Sequence, residues 1–170
     1  MALFPSFVFL LSDGIQGHVS QSRGVAGWIS RFTGAVVLEM GAPRYSGWER
    51  IRLLKFKPLL LPGVDAKEAE KWLCQAGGGG HLDSAREKLF KKNNNPGTAL
   101  FLSAGSSAAP FALALARATE QKCCTIMTPS VLGTAPFDFA IVPEHDHPRP
   151  SPNLLITLGA PNMIREELLQ

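Results

Sequence analysis

One unit recurs along this chain and dictates its architecture. An uninterrupted apolar run ends in a short polar, glycine-bearing loop, and a helical stretch follows. Phe7-Val-Phe-Leu-Leu11 is the first such run, closed by Ser12-Asp13-Gly14. A strand apolar at every position must be covered on both faces, as central parallel strands are. Beyond the loop Asp13 to His18, Val25, Trp28, Ile29 and Phe32 recur at i, i+3, i+4 and i+7, the spacing of one helical stripe. Gly34 closes that helix, and Ala35 to Met40 reads as a second strand. The opening is therefore a βαβ unit of about 35 residues.

The pattern returns in the second half. Thr98 to Ser103 reads as a strand, Ala104 to Ser107 as its loop, and Ala108 to Thr119 as a helix apolar all round, hence buried. Further strands are expected at Cys123 to Met127, Phe137 to Val142 and Asn153 to Leu158, with a short helix at the C-terminus. Between the halves, two helices are expected at Asp65 to Gln75 and Leu82 to Lys92. The run Gly77 to Gly80 reads as a tether between them, and the Arg86 face of the second helix as solubilising. Trp48 to Leu61 mixes basic and apolar residues, notably Arg50, Arg52, Lys55 and Lys57. An edge strand with a solvated basic face and a lipid-headgroup contact both fit it. Strands alternating with helices make the chain an α/β doubly wound domain with a mostly parallel, Rossmann-like sheet. No domain linker interrupts residues 1–170.

Composition narrows the function classes. Only 18% of the 170 residues are charged against 45% hydrophobic, which excludes a disordered chain and a coiled coil. A net charge of +3 is too small to argue for nucleic acid. Three cysteines, two of them adjacent, form no disulfide framework and suit a reducing compartment. The start lacks a basic n-region, and no stretch reads as a membrane span. A cytoplasmic location, with membrane association as an option, is the expectation.

In a doubly wound sheet, ligands bind beyond the carboxyl ends of the strands. Four loops fall there: Asp13 to His18, Ser103 to Ser107, Pro143 to His147 and Gly159 to Asn162. In the first, Gly14 and Gly17 leave room beside a helix start, which suits an anionic or polyhydroxylated ligand. A plain tight turn capped by Asp13 fits the same residues. In the second, Gly105 repeats the arrangement, and Ser106 or Ser107 can serve as an N-cap or as a ligand hydroxyl. In the third, Glu144 and His145 offer an acid/base pair or a solvated turn. Adjacent side chains seldom converge on one ion, so no metal is expected. His81 has no partner in sequence. The dinucleotide and P-loop fingerprints are both absent, and no cofactor is expected.

Three segments, taken together, resemble the ELM-type mitochondrial-fission family. They are Ser12 to Ala26 with its Gly-x-x-Gly-His loop, Leu102 to Ala116 opening on Leu-Ser-Ala-Gly, and Val142-Pro-Glu-His-Asp146 with Pro152 to Ala160. That family is similar to GT-B glycosyltransferases, whose active site lies between two Rossmann-like domains. The resemblance implies a domain equivalent to the N-terminal, acceptor-side half. His18 would be the base, Asp13 its orienting group, and Glu144 and His145 part of the cleft. Gly14, Gly17, Ser103, Gly105 and Ser106 would line the ligand site. The Ser-Ser pair after Gly105 departs from the basic residues of family members. The donor half would come from a second Rossmann-like domain or subunit, so this chain alone is expected to show no turnover. A module that binds a partner or the membrane is the alternative, and a phosphometabolite-binding domain a third. Self-association through an uncovered apolar face is a further expectation.

Overall fold

The computed structural model describes residues 4–45, 47–49, 64–90 and 97–161. The basic stretch from Arg50 to Lys57 and the expected C-terminal helix lie outside them. Six strands form one sheet: β1 (Phe7–Ser12), β2 (Val36–Gly41), β3 (Ala99–Ala104), β4 (Lys122–Ile126), β5 (Phe139–Pro143) and β6 (Leu154–Thr157). Their spatial order is β2-β1-β3-β4-β5-β6, and every neighbouring pair is parallel. The α-helices whose bounds lie within the described residues are α1 (Gln16–Thr33), α2 (Ala66–Gln75), α3 (Gly79–Phe90) and α4 (Ala109–Ala118).

The helices divide unequally between the faces. Phe9, Leu11 and Phe101 join Trp72, Leu82, Leu89 and most of α4 in the larger core, beneath α2, α3 and α4. Val8, Leu10, Leu102, Cys124 and Ile126 form the smaller core, to which α1 contributes Ala26 with Val25 and Ile29 beside it. Right-handed crossovers account for the split, because β1 to β2 steps one way and every later connection steps the other.

Local chemistry explains the helix limits. Asp65 caps α2 by accepting from the Glu68 N–H at 2.8 Å. The Gly77 to Gly80 run is not a tether. Gly77 adopts a positive φ, the Gly78 N–H returns to the Leu73 carbonyl at 2.7 Å, and Gly79 and Gly80 already belong to α3. Its brevity comes from packing, since a Cβ at Gly78 would press on the Leu73 side chain. Arg86 does more than solubilise α3. It makes two bonds to Glu70 of α2, at 2.9 and 2.7 Å, and holds the Glu70 carboxyl below its ordinary range. His81 bonds the Gly41 carbonyl at 2.8 Å.

Two apolar expectations shift. Trp28 and Phe32 do not face the sheet. They stack on each other in solvent, with the Arg31 guanidinium over the indole. The inward face of α1 uses Val19, Ser22, Gly24 and Ala26, small residues that let the helix lie close on β1 and β3. The fifth strand starts at Phe139 rather than Phe137, which is instead buried in the larger core.

Cys123 and Cys124 are both buried in β4, and burial pushes both thiols up, Cys124 to about 12. Between pH 9 and 12 the native state therefore keeps a proton that the unfolded chain has released. The thiol contribution is intact below the ordinary thiol pKa and is lost as pH rises, by up to about 1.4 kcal/mol per pH unit for each thiol. Urea midpoints across that window should fall more shallowly in Cys124→Ala than in the parent protein; parallel slopes would refute the assignment.

Candidate functional site

Because all six strands are parallel, their carboxyl ends share one edge of the sheet. Chain direction reverses between β1 and β3: from β1 the chain steps outward to β2, then crosses back to β3. This is the switch point of a doubly wound sheet, where the loops on either side diverge and leave a crevice. The Asp13–His18 loop follows β1 and the Gly105 loop follows β3.

Asp13 is the centre of the first loop. Its side chain is only 4% exposed, yet both oxygens are bonded. Oδ1 accepts from the Ile15 N–H at 3.0 Å, which folds the loop, and Oδ2 meets His18 Nδ1 at 2.8 Å. A carboxylate only accepts, so Nδ1 is the donor in that bond and Nε2 is the ring nitrogen left for a ligand. The His18 side chain is 23% exposed. The pairing follows from the sequence: the loop turns at Gly14, φ +77°, and one helical turn brings residue 18 back over residue 13.

Gly105 completes the cradle. Its φ is +80°, and a Cβ built there would run into the His18 ring, with Cγ at 3.1 Å. The imidazole thus occupies space that only glycine leaves open. The helices α1 and α4 start at this edge without a side-chain cap: Ile15 precedes α1 and Ala108 precedes α4. Their first N–H groups and dipoles face the crevice side.

The other expected residues behave differently. Gly17 lies in the first turn of α1, where a Cβ would meet nothing within 4 Å and the backbone is not left-handed. Gly17→Ala should therefore stabilise the protein by about 0.4–1 kcal/mol through the unfolded chain, read as a rise in urea midpoint. A loss of stability would show that the loop needs a glycine there. Ser103 is fully buried on β3, with an Oγ that has no hydrogen-bond partner. Ser106 is not an N-cap; its Oγ accepts from the Ser130 N–H at 2.7 Å and ties the β3 loop to the loop after β4. Glu144 and His145 sit on a single 3-10 turn after β5, both exposed. His145 Nε2 stands 3.6 Å from Asp146 Oδ1, too far for a hydrogen bond. Three strand spacings separate β5 from β1, about 14 Å, so Glu144 shares the edge but not the immediate surroundings of His18. Among the described residues, no group of three His, Cys, Asp or Glu side chains is placed to hold a metal.

Sequence reasoning missed Arg44, whose guanidinium lies against Gly14. Its signal in the sequence is a basic residue three positions after the end of β2.

The family model for mitochondrial fission ELM1 matches residues 16–170. The chain belongs to that family. The ELM1-family match spans His18, Arg44, Gly105 and Glu144 and begins after Asp13, Gly14 and Ile15. No curated protein and no solved structure matches the chain. No described helix of this ELM1-family chain is long and apolar enough to cross a membrane.

Proposed function

We propose that this domain is the acceptor-side half of a GT-B-like sugar transferase, in which His18 takes the proton from an acceptor hydroxyl. The observation that carries the reading is the buried Asp13 carboxylate on His18 Nδ1 at the switch point. Fixing Nδ1–H by a carboxylate orients the ring and stabilises the imidazolium that forms as Nε2 accepts a proton. The hydroxyl would enter the crevice beside Gly105 with Nε2 as its hydrogen-bond partner. Glu144 and His145, farther along the edge, would meet a more distant part of the ligand.

The same reading assigns the donor to a second Rossmann-like domain or subunit. The described residues contain no Asp-x-Asp pair for a leaving diphosphate. An apolar recess of about 360 Å³ supports a further polypeptide surface. It lies on the α1 side of the sheet and is lined by Ile29, Leu100, Cys124, Phe139, Ile141 and Leu155. Phe139 and Leu155 there are more than half exposed. We read that recess as part of the surface the second polypeptide would cover.

Calorimetry against nucleotide sugars and simple hydroxylated acceptors tests the assignment, with light scattering on the same samples. Acceptor binding that His18→Ala removes, together with negligible nucleotide-sugar binding, is the expected result. Tight nucleotide-sugar binding by a monomer would contradict it.

A further inference from the structure

We propose that Arg44 makes the switch-point crevice a phosphoryl site, so that the molecule bound there carries a phosphate or diphosphate beside the hydroxyl facing His18. The inference rests on the acceptor-side reading for the hydroxyl, while the anion site itself stands on Arg44.

The position of Arg44 is built by its neighbours. The β1–β2 ladder continues past β2 through the Ala42 N–H to the Ser12 carbonyl at 2.7 Å, so the chain after residue 41 runs beside Ser12 and Asp13. On the far side, Tyr45 is anchored. Its ring stacks on Phe111 at 5.9 Å and 12°, and its hydroxyl donates to the Ala76 carbonyl. Burial holds the phenol above its ordinary pKa, with Glu49 adding to the shift, so the donor keeps its proton. Pro43 fixes φ on the other flank. Arg44 is thereby held between two constrained residues, with its guanidinium over Gly14.

The charge arrangement then selects an anion. Arg23 is spent on Glu39 and Arg86 on Glu70, each through two bonds. Arg44 makes no ion pair with any described residue and is exposed to solvent. Asp13, the acid in the loop, is buried and turns its oxygens to the Ile15 N–H and His18 Nδ1, with no hydrogen bond to Arg44. A planar guanidinium free of a counter-charge fits two phosphoryl oxygens at once. The uncapped first turn of α1 begins two residues beyond Gly14 and reinforces the same sign.

Inorganic pyrophosphate is the probe. Titrated into isotope-labelled protein at low salt, it should move the amide resonances of Gly14, Gln16, Gly17 and Gly105. Arg44→Ala should weaken binding about tenfold or more, the loss of one charge-assisted contact. Arg44→Lys should fall between, keeping the charge without the fork. A hexose phosphate in solution and phosphatidylcholine vesicles doped with phosphatidic acid separate a soluble from a membrane-borne phosphate. Arg44 dependence in either arm supports the site and names its source. Unchanged pyrophosphate binding in Arg44→Ala, or shifts confined to another part of the chain, would overturn it. The two readings fail separately. Arg44-dependent pyrophosphate binding without His18-dependent acceptor binding keeps the phosphoryl site and removes the base. The reverse outcome removes the phosphoryl site alone.

Discussion

Gly105→Ala is expected to break the histidine–carboxylate pair while leaving the sheet folded. Two costs coincide at this position. The backbone sits at φ +80°, where alanine is strained, and the new methyl would occupy the volume of the His18 ring. Strain at one such residue is worth about 1–3 kcal/mol. The ring can relieve the overlap only by swinging outward, and the Asp13–His18 bond of 2.8 Å does not survive that movement. A displacement of about 1 Å in a reacting group costs on the order of 10²-fold in rate. Acceptor binding measured by calorimetry should weaken, because Nε2 no longer faces the bound hydroxyl, and the urea midpoint should drop. A Gly105→Ala protein with parental stability and ligand binding would show that the ring does not need this space.

Asp13→Ala carries the second large effect. Truncation leaves the Ile15 N–H and the His18 Nδ1–H without their acceptor. A hydrogen bond to a charged group contributes about 1.5–3 kcal/mol, so a stability loss of that size is expected. The functional loss should be larger, because the imidazole is then free to adopt the other tautomer. Replacing the orienting aspartate of a Ser-His-Asp triad lowers kcat about 10⁴-fold, and a comparable fall is expected once transfer is reconstituted. His18→Ala should cost less stability than Asp13→Ala, since the histidine is partly exposed and the aspartate is not. Thermal melts of the two variants settle the order; the reverse ranking would place the structural weight on the ring.

Much of this is legible in the residues. Strands apolar at every position, such as Phe7 to Leu11, can only sit inside a sheet covered on both faces, and helices between them force parallel pairing. The loops after β1 and β3 are legible for the same reason, since glycine followed by a helix start marks the carboxyl edge. Other features are not. Periodicity alone cannot show that Trp28 and Phe32 turn outward, because that depends on α1 needing small residues where it lies against the sheet. The run Gly77 to Gly80 reads as slack in sequence, whereas the close approach of Leu73 explains its use as a helix junction. Arg44 carries no local motif; only the strand order places the end of β2 beside Gly14. Spacing likewise cannot separate Glu144 from His18, because the two strands that lie between β1 and β5 are a property of the sheet.

The protonation pattern of the His18 ring, read from long-range proton–nitrogen NMR correlations of the imidazole, bears most directly on the proposed base. A proton held at Nδ1 is expected, with an Nε2 resonance that moves when a hydroxylated acceptor is added. Asp13→Ala should abolish the preference for Nδ1. A ring protonated at Nε2 in the parent protein, or a pattern indifferent to Asp13, would contradict the assignment of His18 as a base held by Asp13.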